Sequence, residues 1–162
     1  MCDADERLQR AIELASRYLS HRDRTEAEVR RQLQAKGLDG LTVDSTIDTL
    51  TESRYLDDAR FARLFAQDKR ELEYWGSDRI MRALLARGVD RELIAETLGV
   101  ESSSSELDRA VALLRRRFPA PPEHRREQQR ALGVLVRKGF DSELAREALA
   151  AYRRLAREPR PR

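Results

Sequence analysis

Cysteine, lysine, glycine and histidine are scarce in this 162-residue chain, which holds one Cys, three Lys, seven Gly and two His. With Cys2 alone no internal disulfide can form, so a reducing cytoplasm is the expected compartment. The few glycines include no phosphate-cradling loop of dinucleotide or Walker type. Cys2, His21 and His124 show no zinc-ligand spacing, and His-Glu-x-x-His is absent. No apolar run is long enough to cross a bilayer, and the acidic start is not expected to be a signal peptide. The carboxylate pair Asp57-Asp58 has a structural reading, because Asp57 is placed to cap a helix. Likewise, His21 and His124 sit among charged neighbours and read as solvated surface residues. The expectation is a non-enzyme without metal, cofactor or membrane span.

What the chain does have is charge: 38% of its residues are charged and 29 of its 32 basic residues are Arg. The formal net charge of +3 hides a division. Residues 1–108 carry 17 basic and 23 acidic side chains, a net −6, whereas residues 109–162 carry 15 and 6, a net +9. An acidic front and a basic tail point to a polyanion or an acidic protein surface as the tail's partner. Arg binds phosphate and carboxylate in a two-pronged manner that Lys cannot match. A GC-rich genome also raises Arg over Lys, so the clustering is more informative than the total.

Apolar residues recur at helical spacing. Leu8, Ala11, Ile12, Ala15, Tyr18 and Leu19 make one stripe, and Phe61, Phe65 and Leu72 another. No stretch alternates with a two-residue period, so the fold class is all-α. A repeat is visible in the helix stops. Leu33 to Asp39 (LQAKGLD), Leu84 to Asp90 (LLARGVD) and Leu135 to Asp141 (LVRKGFD) share one template, with Gly37, Gly88 and Gly139 each 51 residues apart. Each Gly is expected to take the left-handed conformation that ends a helix, with Leu33–Leu38, Leu84–Val89 and Leu135–Phe140 as the accompanying apolar pairs. The Asp that follows each turn is placed to cap the next helix.

Working outward from these stops predicts three repeats of three helices. The first helices are 6–20, 26–36 and 40–53, with Thr25 and Glu28 as a capping box. The second set is 58–74, 77–87 and 91–98, started by Asp57 and by Ser77. The third is 104–118, 124–138 and 142–157, started within Ser102–Ser105 and interrupted by Pro119 to Pro122. The expected domains are 1–54, 55–100 and 101–157, followed by a frayed tail at 158–162. Repeats this small cannot bury a sufficient core alone, so neighbours must cover one another in an elongated array with a concave side.

The candidate binding residues are cationic. Arg115, Arg116 and Arg117 end one helix, and Arg125, Arg126, Arg130, Arg137 and Lys138 follow across the proline turn. Arg126, Arg130 and Arg137 fall close to one helical face. Lys36, Arg87 and Lys138 hold the same pre-glycine place, where a cation offsets the helix dipole. Arg31 and Arg82 are also equivalent and, lying away from the helix ends, are weaker binding candidates. Trp75 offers either a stacking platform for bases or a buried helix junction, and the junction is the simpler reading.

The repeat and its motifs resemble the RecX family of bacterial RecA regulators. The residues that carry this are Arg24-Thr25-Glu26-Ala27-Glu28-Val29-Arg30 with Leu33 and Lys36-Gly37. They continue through Tyr55-Leu56-Asp57-Asp58-Ala59-Arg60-Phe61-Ala62, Gly76, Ile80, Leu84 and Arg87-Gly88-Val89. The third repeat matches through Leu135, Arg137, Lys138, Gly139 and Phe140, and departs at the proline-rich turn. The resemblance implies tandem three-helix repeats and a cytoplasmic bacterial protein that modulates RecA, usually by inhibition. It implies binding along the groove of the RecA–single-stranded DNA filament, with lowered strand exchange, ATP hydrolysis and LexA cleavage. A monomer is expected. The rival expectation is a helical protein that binds single- or double-stranded DNA directly and without sequence preference; a helical scaffold for another acidic protein is a third.

Overall fold

The computed structural model describes residues 2–158, and every regular element among them is a helix. The order is α1 (Cys2–Leu19), α2 (Glu26–Ala35), α3 (Gly40–Glu52), α4 (Asp58–Glu73), α5 (Ser77–Ala86), α6 (Arg91–Gly99), α7 (Ser103–Arg117), α8 (Arg125–Lys138) and α9 (Ser142–Arg157). Eight of these begin within two residues of the predicted starts. The exception is α1, which begins four residues before its predicted start. Its added turn carries Asp3 and Asp5, which favour a helix N-terminus through the dipole but leave no periodic signal. Glu158 follows α9, and the rest of the expected frayed tail lies outside the described residues.

The helix stops form as their glycines dictate. Gly37, Gly88 and Gly139 have φ of +81°, +78° and +93°. In each turn the residue after Gly donates back across the last turn: Leu38 N to Leu33 O at 3.3 Å, Val89 N to Leu84 O at 3.1 Å, and Phe140 N to Leu135 O at 3.1 Å. Asp39, Asp90 and Asp141 then cap the following helices, accepting from the backbone N–H of Thr42, Glu92 and both Glu143 and Leu144 respectively. The capping box closes as expected, with Glu28 N donating to Thr25 Oγ1 and Thr25 N to Glu28 Oε2. Asp57 accepts from Arg60 N at 2.9 Å.

The chain divides into two compact units, Met1–Leu64 with Leu84–Ala95 and Phe65–Ala83 with Glu96–Arg162. One unit encloses an apolar cluster built on Ala15, Val29, Leu33, Val43, Ile47 and Leu50, with Leu56 of the next repeat. The other encloses a larger cluster built on Ala110, Leu114, Ala131, Leu135, Phe140 and Leu149. Leu72 departs from its predicted stripe and is 73% exposed. The buried face of α4 centres on Ala62 and Ala66, and a residue six places past Ala66 is rotated about 120° away from it.

Each unit holds one junction between consecutive repeats, and the two junctions are made alike. In the first, Asp58 Oδ1 accepts from Glu26 N at 2.9 Å, at the start of α2. Thr25 Oγ1 donates to Arg87 O at 2.7 Å, and Gly88 faces Ala27 where a Cβ would come within 2.4 Å of the Ala27 Cβ. In the second, Glu106 Oε1 accepts from Ser77 N at 2.8 Å, so the start of α5 is served by a carboxylate of the third repeat. Gly76 N donates to Lys138 O at 2.8 Å, and a Cβ on Gly139 would come within 2.5 Å of the Arg79 backbone nitrogen. One carboxylate, one pre-glycine carbonyl and one glycine therefore clamp a repeat onto the middle helix of the repeat before it.

Candidate interaction surface

The basic residues singled out from the sequence lie in the last turn of α7 and along α8. A helix of Leu, Val and Ala on one side leaves Arg115, Arg116 and Arg117 exposed in the last turn of α7. Phe118 then turns extended, its carbonyl accepting from Tyr152 Oη at 2.5 Å, and Pro122 is fully buried. The proline turn is thus anchored to the third-repeat core, and it delivers Arg125 and Arg126 at the start of α8. Arg125, Arg126, Arg130 and Arg137 are all exposed. Arg116 lies over the Tyr74 ring, 5.7 Å from its centroid.

Lys138 is placed differently. Its Nζ donates to Glu73 O at 2.7 Å, and the side chain is half-buried at the junction. Desolvation pushes its pKa down, reinforced by the nearby positive charges of Arg79, Arg117 and Arg116 and opposed by Glu73. The same effects show that Arg79, Arg116, Arg117 and Lys138 share one electrostatic neighbourhood. Arg79, from α5, is the cation that sequence reasoning missed. It stands outside the 109–162 segment, and only the junction brings it there. Its guanidinium stacks on Trp75 at 4.1 Å and donates to Arg137 O at 3.4 Å.

Arg109 is the reverse case. It counts toward the basic tail, but its Nη2 donates to Glu101 Oε2 at 3.0 Å, its Nη1 also bonds Glu101, and its Nε donates to Trp75 O at 2.9 Å. Its side chain is only 10% exposed. Arg70 joins the same group through an ion pair with Glu101 at 3.0 Å. These charges hold the junction together and are spent there.

Trp75 packs as a junction residue. Its ring meets Phe65 edge-on at 6.2 Å, with Lys69 Nζ at 4.8 Å from its centroid in addition to Arg79. Glu73 beside it titrates below the ordinary carboxylate range, chiefly because Lys69 bonds it. Arg31 and Arg82 are exposed, and their Nε atoms turn back onto their own helices, to Ala27 O at 3.3 Å and Asp78 O at 3.2 Å. Among the described residues no group of His, Cys, Asp and Glu is arranged to hold a metal, and no helix is long and apolar enough to cross a membrane.

Three family models match in tandem: the RecX first three-helix domain over residues 11–50, the second over 57–98 and the third over 104–149. The regulatory protein RecX of Herbaspirillum seropedicae is 31% identical over 134 residues, spanning 83% of this chain and 85% of that one. That of Amycolatopsis mediterranei is 31% identical over 143 residues, covering 87% and 82%. A Listeria monocytogenes RecX is 27% identical, and this chain spans about half its length, 53%. Among solved structures, RecX from Lactobacillus salivarius superposes with a TM-score of 0.82 over 91% of this chain and 97% of that one, at 19% identity. A second crystal structure of regulatory protein RecX gives a TM-score of 0.75 over 88% and 72%, at 23% identity.

Proposed function

Since the chain belongs to the RecX family of regulatory proteins, we propose that it restrains the RecA recombinase by binding the RecA–single-stranded DNA filament. Binding limits filament growth and, with it, ATP hydrolysis, strand exchange and coprotease activity. The observation that supports this most is the match to all three RecX domains in order, from residue 11 to residue 149. The contact is made by the exposed arginines of the third repeat, Arg115, Arg116, Arg117, Arg125, Arg126, Arg130 and Arg137, with Lys138 holding the junction beneath them. Arg31 and Arg82 add secondary contacts. The protein needs no chemistry of its own, because a ligand that prefers one filament state shifts the population toward that state.

The test is RecA ATPase on single-stranded DNA, with the protein added before or after filament assembly. Inhibition is expected in both orders, and inhibition only before assembly would restrict the mechanism to nucleation. Replacing Arg115, Arg116, Arg126 and Arg130 together by Ala is expected to weaken inhibition with helicity unchanged; full inhibition by a folded variant removes these residues from the interface. The exposed arginines also support a second reading, direct binding to bare DNA. About five phosphate contacts then give a log–log salt slope near −4.5. Tight binding to filament beside weak binding to bare DNA decides for the regulator.

A further inference from the structure

We propose that Arg24, Arg54 and Arg60 form a docking pocket for a carboxylate on a peptide segment of a protein partner, with Tyr55 and Leu64 receiving the apolar side chain next to it. The three arginines line one cavity of about 50 Å³ within residues 1–108, the segment whose net charge is negative. None of them forms an ion pair with another described residue. Arg24 is held in place, its guanidinium carbon 4.2 Å above the Tyr18 ring, while its Nε is buried without a hydrogen-bond partner. A buried donor left unpaired is costly in an isolated protein.

Arg54 supplies an independent observation. It ends α3 in the same turn that Gly37, Gly88 and Gly139 make, with Arg54 N donating to Thr51 O at 3.0 Å and Tyr55 N to Leu50 O at 2.9 Å. Its φ is +59°, a conformation in which a side chain is strained and Gly is not. Tyr74, the other non-glycine residue with positive φ among the described residues, packs against the third-repeat core. Arg54 has no such packing; it is exposed and directed to the cavity. Three turns use the cheap residue, and the one beside Arg24 and Arg60 keeps a guanidinium instead. The strain that Gly avoids in three turns is carried here by a residue whose side chain lines the cavity.

The rim selects the ligand. Tyr55 is 74% and Leu64 44% exposed, and an apolar side chain would desolvate them where a sugar–phosphate strand would not. Asp23 and Asp57 also line the cavity, so the three arginines leave an excess of one positive charge, which matches a single carboxylate and not a strand carrying a phosphate at every nucleotide. One carboxylate fits: it is planar, takes guanidinium donors in pairs and brings a single charge. Tyr and Arg are also the side chains that most often anchor protein–protein contacts. The pocket lies in a different unit from the third-repeat arginines, and its occupant is independent of the RecA reading.

Titration of the ¹⁵N-labelled 162-residue chain with the peptide acetyl-Leu-Asp-Phe-amide tests this. The Arg24, Arg54 and Arg60 Nε–Hε resonances are expected to shift and saturate together. Acetyl-Leu-Asn-Phe-amide should bind at least about fivefold more weakly, because the charge assistance is gone. Arg54→Gly should weaken the Asp peptide by about fivefold or more while leaving the melting temperature unchanged or higher, since it removes both the guanidinium and the strain. The Arg115, Arg116, Arg126 and Arg130 quadruple Ala variant should bind the peptide as the parent does. Absent shifts, equal binding of the Asn peptide, undiminished binding by Arg54→Gly or loss of binding in the quadruple variant would each overturn the proposal. Tighter saturation of the same resonances by oligothymidylate would assign the pocket to nucleic acid instead, and a lowered melting temperature in Arg54→Gly would make Arg54 a structural residue.

Discussion

Gly37 and Gly139 take the same left-handed turn and have unequal surroundings. Around Gly37 nothing comes within 4 Å of an added Cβ, whereas at Gly139 the Arg79 backbone nitrogen would be 2.5 Å away. Gly37→Ala therefore meets backbone strain alone, about 1–2 kcal/mol. Gly139→Ala meets the same strain and an immovable neighbour as well, a further ~1–3 kcal/mol of overpacking. Urea melts of the two variants should show Gly139→Ala losing clearly more; equal losses would mean that the second junction yields freely. At Gly88 the obstacle is only a side-chain methyl, Ala27 Cβ at 2.4 Å. Ala27→Gly is thus expected to recover part of the Gly88→Ala loss, read as a favourable coupling in a double-mutant cycle. These glycines were legible in the sequence as turns, because a cap needs a fixed residue at a fixed spacing. The second duty of Gly88 and Gly139 was not legible, because the atoms they admit belong to another repeat, some 60 residues away in the chain.

At the scale of the helix, each junction carboxylate serves a helix start that is not its own. Asp58, at the start of α4, accepts from Glu26 N at the start of α2. Burial holds its pKa above the usual carboxylate value of 3.8, helped by the negative charges of Glu26, Asp57 and Glu28 and opposed by the Glu26 N–H. The folded state then keeps its proton more firmly than the unfolded state does. Stability must fall as pH rises from about 4 through the raised pKa, and that part of the penalty stays in place above it. Asp58→Asn keeps an oxygen acceptor and removes the charge. Its melting temperature relative to the parent should climb as pH rises above about 4 and level off once the raised pKa is passed. A difference that declines with pH would show the carboxylate to be favourable through the α2 dipole, and a flat one would show that burying the charge costs nothing net. Lys138 is the matching cation of the second junction, and Lys138→Met should cost about 1–2 kcal/mol through the lost charged donor to Glu73 O. In the sequence Asp58 looked like the second half of an acidic pair and Lys138 like a dipole-compensating cation. Local pattern showed which helices exist; which helix each charge serves depends on repeat-to-repeat contact, and no spacing rule encodes that.

For the molecule as a whole, the division of charge is sharper in sequence than in space. The net +9 of residues 109–162 includes Arg109, spent on Glu101 and Trp75, while Arg79 joins the basic group from outside that segment. The three repeats were likewise legible as three, because the turn template recurs, yet the chain packs as two compact units that divide the middle repeat between them. Residues 58–64 and 84–95 of that repeat belong with the first, and 65–83 and 96–100 with the third. Several of its buried positions are small, Ala62 and Ala66 among them, and Leu72 is turned to solvent. Its clamps also face outward: Asp58 and Gly88 engage the first repeat, and Gly76, Glu73 and Trp75 engage the third. A segment of this size has little margin for folding alone even with a good core, since below about 40–60 residues too little apolar surface is buried. Removing both neighbours takes away the partners of every clamp at once. A peptide of residues 55–100 is therefore expected to show weak helicity by circular dichroism and no cooperative thermal transition, while the full chain melts cooperatively. A sharp transition in the isolated segment would mean that the middle repeat carries its own stability and that the two junctions serve only to set register.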